Sequence, residues 1–215
     1  MTNQTNGRSL DFCGRVAGFM YLFTIASYFA GTWLAAHHAE RLGYLLMLLT
    51  SWATVLLAGS LYVVLRGVDP LLALFALLWR TGEAVLGALS IALRITIFNA
   101  GGAADLARNL NGTIFSLTTL FFTAGSTLFL WLFLKSRLIP RAIAGSGLIA
   151  SLLFAMLACA NLLAAKLTGL AAYAWAPMLP AELITGAWLL FFGVTVPIDA
   201  LPSDPLDARD WLGIA

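Results

Sequence analysis

Arg80-Thr81-Gly82-Glu83 sets two ionisable side chains inside an apolar run that extends from near Leu71 past Ile91. The i, i+3 spacing puts Arg80 and Glu83 on one face of a helix. A charge near the middle of a bilayer costs about 2.5–3.5 kcal/mol on the cheaper insertion scales, so such groups face other helices or a wet cavity and pair with something. Arginine offers a fixed fork of donors that suits a carboxylate or a phosphate. Glu182 is a second acid in apolar surroundings, and Gly186, Leu189 and Gly193 continue its face. Two carboxylic acids in different surroundings can divide between them the donation and the acceptance of a proton. The chemistry open to these residues is recognition of a polar head group or acid catalysis within hydrocarbon. Their bland use is that Arg80 and Glu83 neutralise each other and lock a helix bundle.

The elements that must position them are membrane spans. The chain has 215 residues, 61% hydrophobic and 10% charged, with a mean hydropathy of +0.91, whereas soluble domains carry about 45–50% apolar and 25% charged residues. The net charge of +2 is small and scattered, and no basic tract is interleaved with aromatics, so nucleic acid is excluded as a partner. The expected partners are membrane lipids and a lipidic or isoprenoid small molecule. Cys13 and Cys159 read as two free thiols. His37 and His38 are adjacent in a loop and make a poor shared metal site. There is no His-Glu-x-x-His, no phosphate-cradling loop and no Gly-x-Ser-x-Gly, so no metal and no cofactor is expected. The first ten residues are polar and lack a signal-peptide apolar region.

With about 20 apolar residues needed to cross a bilayer, six spans are expected. They run from about Val16 to Ala36, Leu42 to Leu65, Leu71 to Leu93, Gly112 to Leu134, Ala142 to Ala164, and from near Leu179-Pro180 to Val196. Asn99 to Asn111 reads as a short surface helix or an irregular loop, and Lys166 to Pro177 as a connection. The fold class is all-α, a polytopic membrane helix bundle. It divides into an N-terminal segment (1–14), a six-helix transmembrane domain (15–196) and a Pro- and Asp-rich tail (197–215). Arg8, Arg15, Arg66, Lys135, Arg137, Arg141 and Arg209 fall on the side of the termini, against Arg41, Arg94, Arg108 and Lys166 on the other. That excess places both termini in the cytoplasm.

Helices in lipid associate through small residues and side-chain hydrogen bonds, and stripes of both recur. Gly14, Gly18, Tyr21, Ile25, Tyr28 and Thr32 share a face of the first span, and Gly112, Ser116, Thr119, Thr123 and Ser126 one of the fourth. Most such faces serve close packing. Glu83 is expected about 18 Å from the cytoplasmic edge at 1.5 Å per residue, and Glu182 a few residues below the outer one. If the third and sixth spans are neighbours, Arg80, Glu83 and Glu182 form one cluster under an outward mouth. Tyr21 and Ser116 are the further candidate ligand-binding residues.

Arg15-Val16-Ala17-Gly18-Phe19-Met20-Tyr21-Leu22, Trp79-Arg80-Thr81-Gly82-Glu83-Ala84, Ser136-Arg137-Leu138-Ile139-Pro140-Arg141, Ala181-Glu182-Leu183, Ala187-Trp188-Leu189 and Gly193 stand in this order along the chain. In this the chain resembles a family of small bacterial multi-pass membrane proteins catalogued only as a domain of unknown function. The likeness runs from about Arg15 to Val194. It implies six spans in a bacterial cytoplasmic (inner) membrane and a special standing for Arg80, Glu83 and Glu182, and it supplies no chemistry. Members often carry a histidine in the fourth span, where this chain has Thr113, Ser116 and their neighbours.

The leading functional expectation is binding of a lipidic or small amphipathic molecule in a polar pocket around Arg80, Glu83 and Glu182. One alternative is an intramembrane enzyme of the cyclase or isomerase type, acting on an isoprenoid or lipid with Glu83 and Glu182 as its catalytic acids. Another is a transporter of protons or a small solute, against which stands the absence of an inverted repeat. The sequence leaves oligomeric state open.

Overall fold

The computed structural model of the chain describes residues 2–99, 104–163 and 168–194, with side chains described over 9–96, 110–160 and 175–194. The tail from 197 onward and Lys166 lie outside them. Six helices follow in order: α1 (Thr2–Ala36), α2 (Glu40–Leu65), α3 (Pro70–Asn99), α4 (Ala104–Ser136), α5 (Arg141–Leu163) and α6 (Thr168–Phe192). There is no strand among the described residues. All six helices are long and apolar enough to cross a membrane, by length and composition.

Local chemistry sets several of the ends. Pro70 opens α3 at its first position, where no N–H is needed, and Asp69 caps it by accepting from the Leu72 amide at 3.0 Å. Gly193 closes α6 at φ +69°, its amide donating to Leu189 at 3.1 Å. Arg15 donates to the last carbonyls of α6, Leu190 at 3.3 Å and Phe191 at 3.5 Å, and Asp11 holds its guanidinium at 2.9 Å.

Two stretches expected between spans, one as a short surface helix or a loop and one as a connection, run on as helix into the next span. Ala104 to Asn111 forms the first two turns of α4, in a stretch of Ala, Leu and Arg that favours helix. The Lys166 to Pro177 stretch is helical from Thr168, so α6 contains both Pro177 and Pro180. Proline is tolerated within spans that neighbours support. The support here is Trp175, whose ring packs on Phe122 at 5.3 Å and on Phe154 at 4.7 Å between centroids. This changes the expected depth of Glu182. It lies ten residues before the end of α6, as Arg80 lies ten after the start of α3, which puts both about 15 Å from that end of the bundle.

Each helix packs on the next, and α6 packs back on α1, closing a ring. The third and sixth helices are therefore not neighbours; they stand opposite each other, three steps apart either way. Backbones approach closely where glycines face glycines. A Cβ on Gly18 would come within 2.6 Å of the Gly186 carbonyl on α6, and one on Gly43 within 2.6 Å of the Gly31 carbonyl on α1. Hydroxyls join other pairs, Ser27 with Thr50 at 3.0 Å and Thr127 with Ser151 at 2.9 Å. The end where α6 finishes, the near end, is filled by a buried apolar plug that includes Leu57, Leu61, Leu65, Phe129, Phe133, Ile139 and Leu189. A second apolar cluster, Phe122, Leu130, Ala150, Phe154, Met178 and Ala181, lies between α4, α5 and α6.

Candidate functional site

Burying one cation inside such a ring demands acceptors and room for a long stem, and α3 and α4 supply both. Arg80 is 3% exposed. Its Nη1 lies 3.0 Å from Oε2 of Glu83, one turn on along α3, and 3.3 Å from Oγ of Ser126 on α4. The guanidinium carbon sits 4.8 Å from the centre of the Phe122 ring, a cation–π contact. The aliphatic stem passes over Gly125, where a Cβ would come within 2.7 Å of Cγ and 2.9 Å of Cδ. Only a residue without a side chain lets the arginine reach the ring centre along this path.

From the other side of the ring come Glu182 on α6, 8% exposed, and Tyr21 on α1, 3% exposed. Tyr21 interacts electrostatically with Glu182, Arg80 and Glu83, and Arg80 with both acids. Side chains of opposite helices in the ring are thus within electrostatic range of one another while the helices themselves do not pack. Tyr21 is seated by the glycine seam, since its Cβ lies 2.7 Å from where a Cβ on Gly186 would stand.

The ledger of donors and acceptors in this layer does not balance. Glu83 is close enough to Arg80 for a strong charge contact, yet its Oε2 has no aligned hydrogen bond, and Oε1 of Glu182 is buried with no hydrogen-bond partner among the described residues. One formal cation faces two carboxylates. Away from the cluster, the buried Nε of Arg94 and the indole nitrogen of Trp188 also lack partners.

Ser116 does not join this group. It is half-buried on α4, ten residues or about 15 Å of rise from Ser126, and its hydroxyl donates to the Gly112 carbonyl at 3.1 Å. His37 stacks on Trp33 at 4.4 Å between centroids. No group of three or more His, Cys, Asp or Glu that could hold a metal occurs among the described residues. An apolar groove of about 410 Å³ runs along the outer side of α4 between Trp79 and Ala155. None of the cluster's side chains lines it.

Phe122 and Gly125 are the residues that sequence reasoning passed over, and Ser126 was read as packing alone. Both lie among Thr119, Thr123 and Ser126, the small and polar face of α4, and that was the available signal.

The sequence matches the family described as a domain of unknown function, DUF4386, over residues 16–193. No curated protein and no solved structure matches it.

Proposed function

We infer the following for a chain that belongs to the DUF4386 family and is a multi-pass membrane protein: it binds a lipidic or small amphipathic molecule whose polar head enters the layer formed by Arg80, Glu83, Glu182 and Tyr21. The membrane is a bacterial cytoplasmic membrane with both termini inside.

A single observation carries this reading. Glu182 is buried in the ring with an acceptor oxygen that takes no hydrogen bond from the described residues. A pair that only locks a bundle needs Arg80 and Glu83, which already meet at 3.0 Å; Glu182 adds a second buried acid without adding a hydrogen bond to Oε1. An unsatisfied buried polar atom costs about 1–3 kcal/mol, more when it is charged. Such a cost is a regular feature of sites whose partner comes from outside the chain.

The test is mass spectrometry of small molecules extracted from the purified protein, wild type beside Glu182→Gln. We expect a lipid or other amphiphile that accompanies the wild type and is depleted in the variant. Identical extracts from two equally folded proteins count against the binding reading. Conversion of the retained molecule into a product on incubation assigns the acid-catalysed alternative instead.

A further inference from the structure

We propose that the head group received by this cluster is an organic ammonium, so that the bound molecule is a cationic amphiphile. The inference rests on the binding reading above and narrows it.

Arginine first looks like the receiving group, and an anion like its ligand. The surroundings of Arg80 argue otherwise. Its Nη1 is shared between Glu83 and Ser126, its flat face is covered by Phe122, and its stem is fixed over Gly125. An incoming carboxylate or phosphate would have to displace Glu83 and then sit, desolvated, near two carboxylates. Like charges in a low-dielectric layer repel far more strongly than in water.

What Glu182 lacks is a donor. Oε2 of Glu83 lies 3.0 Å from Nη1 of Arg80, which leaves Oε1 of Glu182 as the buried carboxylate oxygen of the layer with no donor among the described residues. An ammonium brings up to three N–H donors and no acceptor, together with the positive charge that brings one cation and two carboxylates to balance. The hydrocarbon tail follows from depth. The layer is about 15 Å from the near end, behind the apolar plug of α2 and α4, and a head group resident there needs an apolar anchor.

Three probes of equal chain length test this in nonionic-detergent micelles: dodecylammonium, dodecanol and laurate. The first readout is the midpoint of thermal unfolding of the full chain, wild type and Glu182→Gln. The second uses wild type alone, as the rate at which a hydrophobic carbodiimide modifies Glu182, followed by peptide mass spectrometry. The expected result is that dodecylammonium stabilises the wild type and slows modification of Glu182, while dodecanol and laurate do neither. Glu182→Gln should bind dodecylammonium about thirtyfold more weakly or worse. Stabilisation by laurate that depends on Arg80 overturns the ammonium assignment and leaves the binding reading standing. Equal action by dodecanol overturns the assignment too, since charge is then not read. Dodecylammonium acting alike on both proteins without protecting Glu182 is a micelle effect and counts against the proposal. No response to any probe removes the proposal, while the comparison of extracts from wild type and Glu182→Gln decides the reading beneath it. Should Glu182→Gln fail to fold, protection of the wild type decides.

Discussion

At the residue scale, the layer is governed by how the Arg80 charge is held. Removing the arginine leaves Glu83 and Glu182 buried with no cation beside them, and breaking a buried pair in this way costs about 3–5 kcal/mol. Arg80→Met should therefore lower stability by that order in a denaturant titration of the micellar protein. Adding Glu83→Gln to the same chain should restore part of the loss, because the stranded charge goes with it. A double variant no more stable than Arg80→Met would mean that the pair contributes nothing as a pair. Gly125 gives an independent reading. A valine there meets the Arg80 stem at 2.7 Å, and overpacking of this kind costs about 1–3 kcal/mol. The cost should shrink when Gly125→Val is made in an Arg80→Ala background, where the stem is gone; an unchanged cost would place the clash elsewhere.

At the element scale, glycine seams set how closely α1 can approach its neighbours. Gly18→Leu pushes a side chain into the backbone of α6 and should lower the thermal midpoint strongly. Gly59→Leu is the matched control, since a Cβ there meets nothing within 4 Å, and its midpoint should stay within a degree or two of wild type. Leucine is the better helix former, so propensity favours both variants; similar losses from both would mean that the seam is not what is being measured. The number of helices and the starts of α2, α3 and α5 were legible in hydropathy, because hydrocarbon length fixes how many apolar residues a span needs, whereas α1 and α4 begin at Thr2 and Ala104, well ahead of the expected Val16 and Gly112. The pairing of Arg80 with Glu83 was legible from an i, i+3 spacing. The start of α6 was not. Pro177 read as the end of a connection and Pro180 as the start of the span, whereas the helix runs through both, with Trp175 packed on Phe122 and Phe154. The depth of Glu182 was misjudged for the same reason. Which helices adjoin was beyond the sequence, since small-residue stripes mark a contact face without naming its partner. Ser116 shares the small-residue stripe of α4 and yet stands more than two turns from the layer.

At the scale of the whole molecule, a ring of six helices places the finish of α6 beside the start of α1, and gathers Arg15, Arg66, Lys135, Arg137 and Arg141 at one end. A reporter enzyme active only outside the cytoplasm should be inactive when fused after Ala215 and active when inserted at His38. The opposite pattern would invert the bundle. The ring also sets the geometry of the cluster: α3 and α6 are held apart by their neighbours, and Arg80, Glu83, Glu182 and Tyr21 lie within electrostatic range of one another. Our central claim is that Glu182 is kept there for a partner from outside the chain and not for the bundle's own cohesion. The most direct measurement is the unfolding stability of delipidated Glu182→Leu against delipidated wild type. Replacing a whole buried ion pair by apolar residues is often neutral or stabilising, by about 1–4 kcal/mol, whereas removing a partner that the bundle needs costs about 3–5 kcal/mol, and Glu182→Leu leaves Arg80 beside Glu83 at 3.0 Å. The account predicts a variant at least as stable as the wild type, and a loss of several kcal/mol would contradict it by showing that Glu182 holds the bundle together.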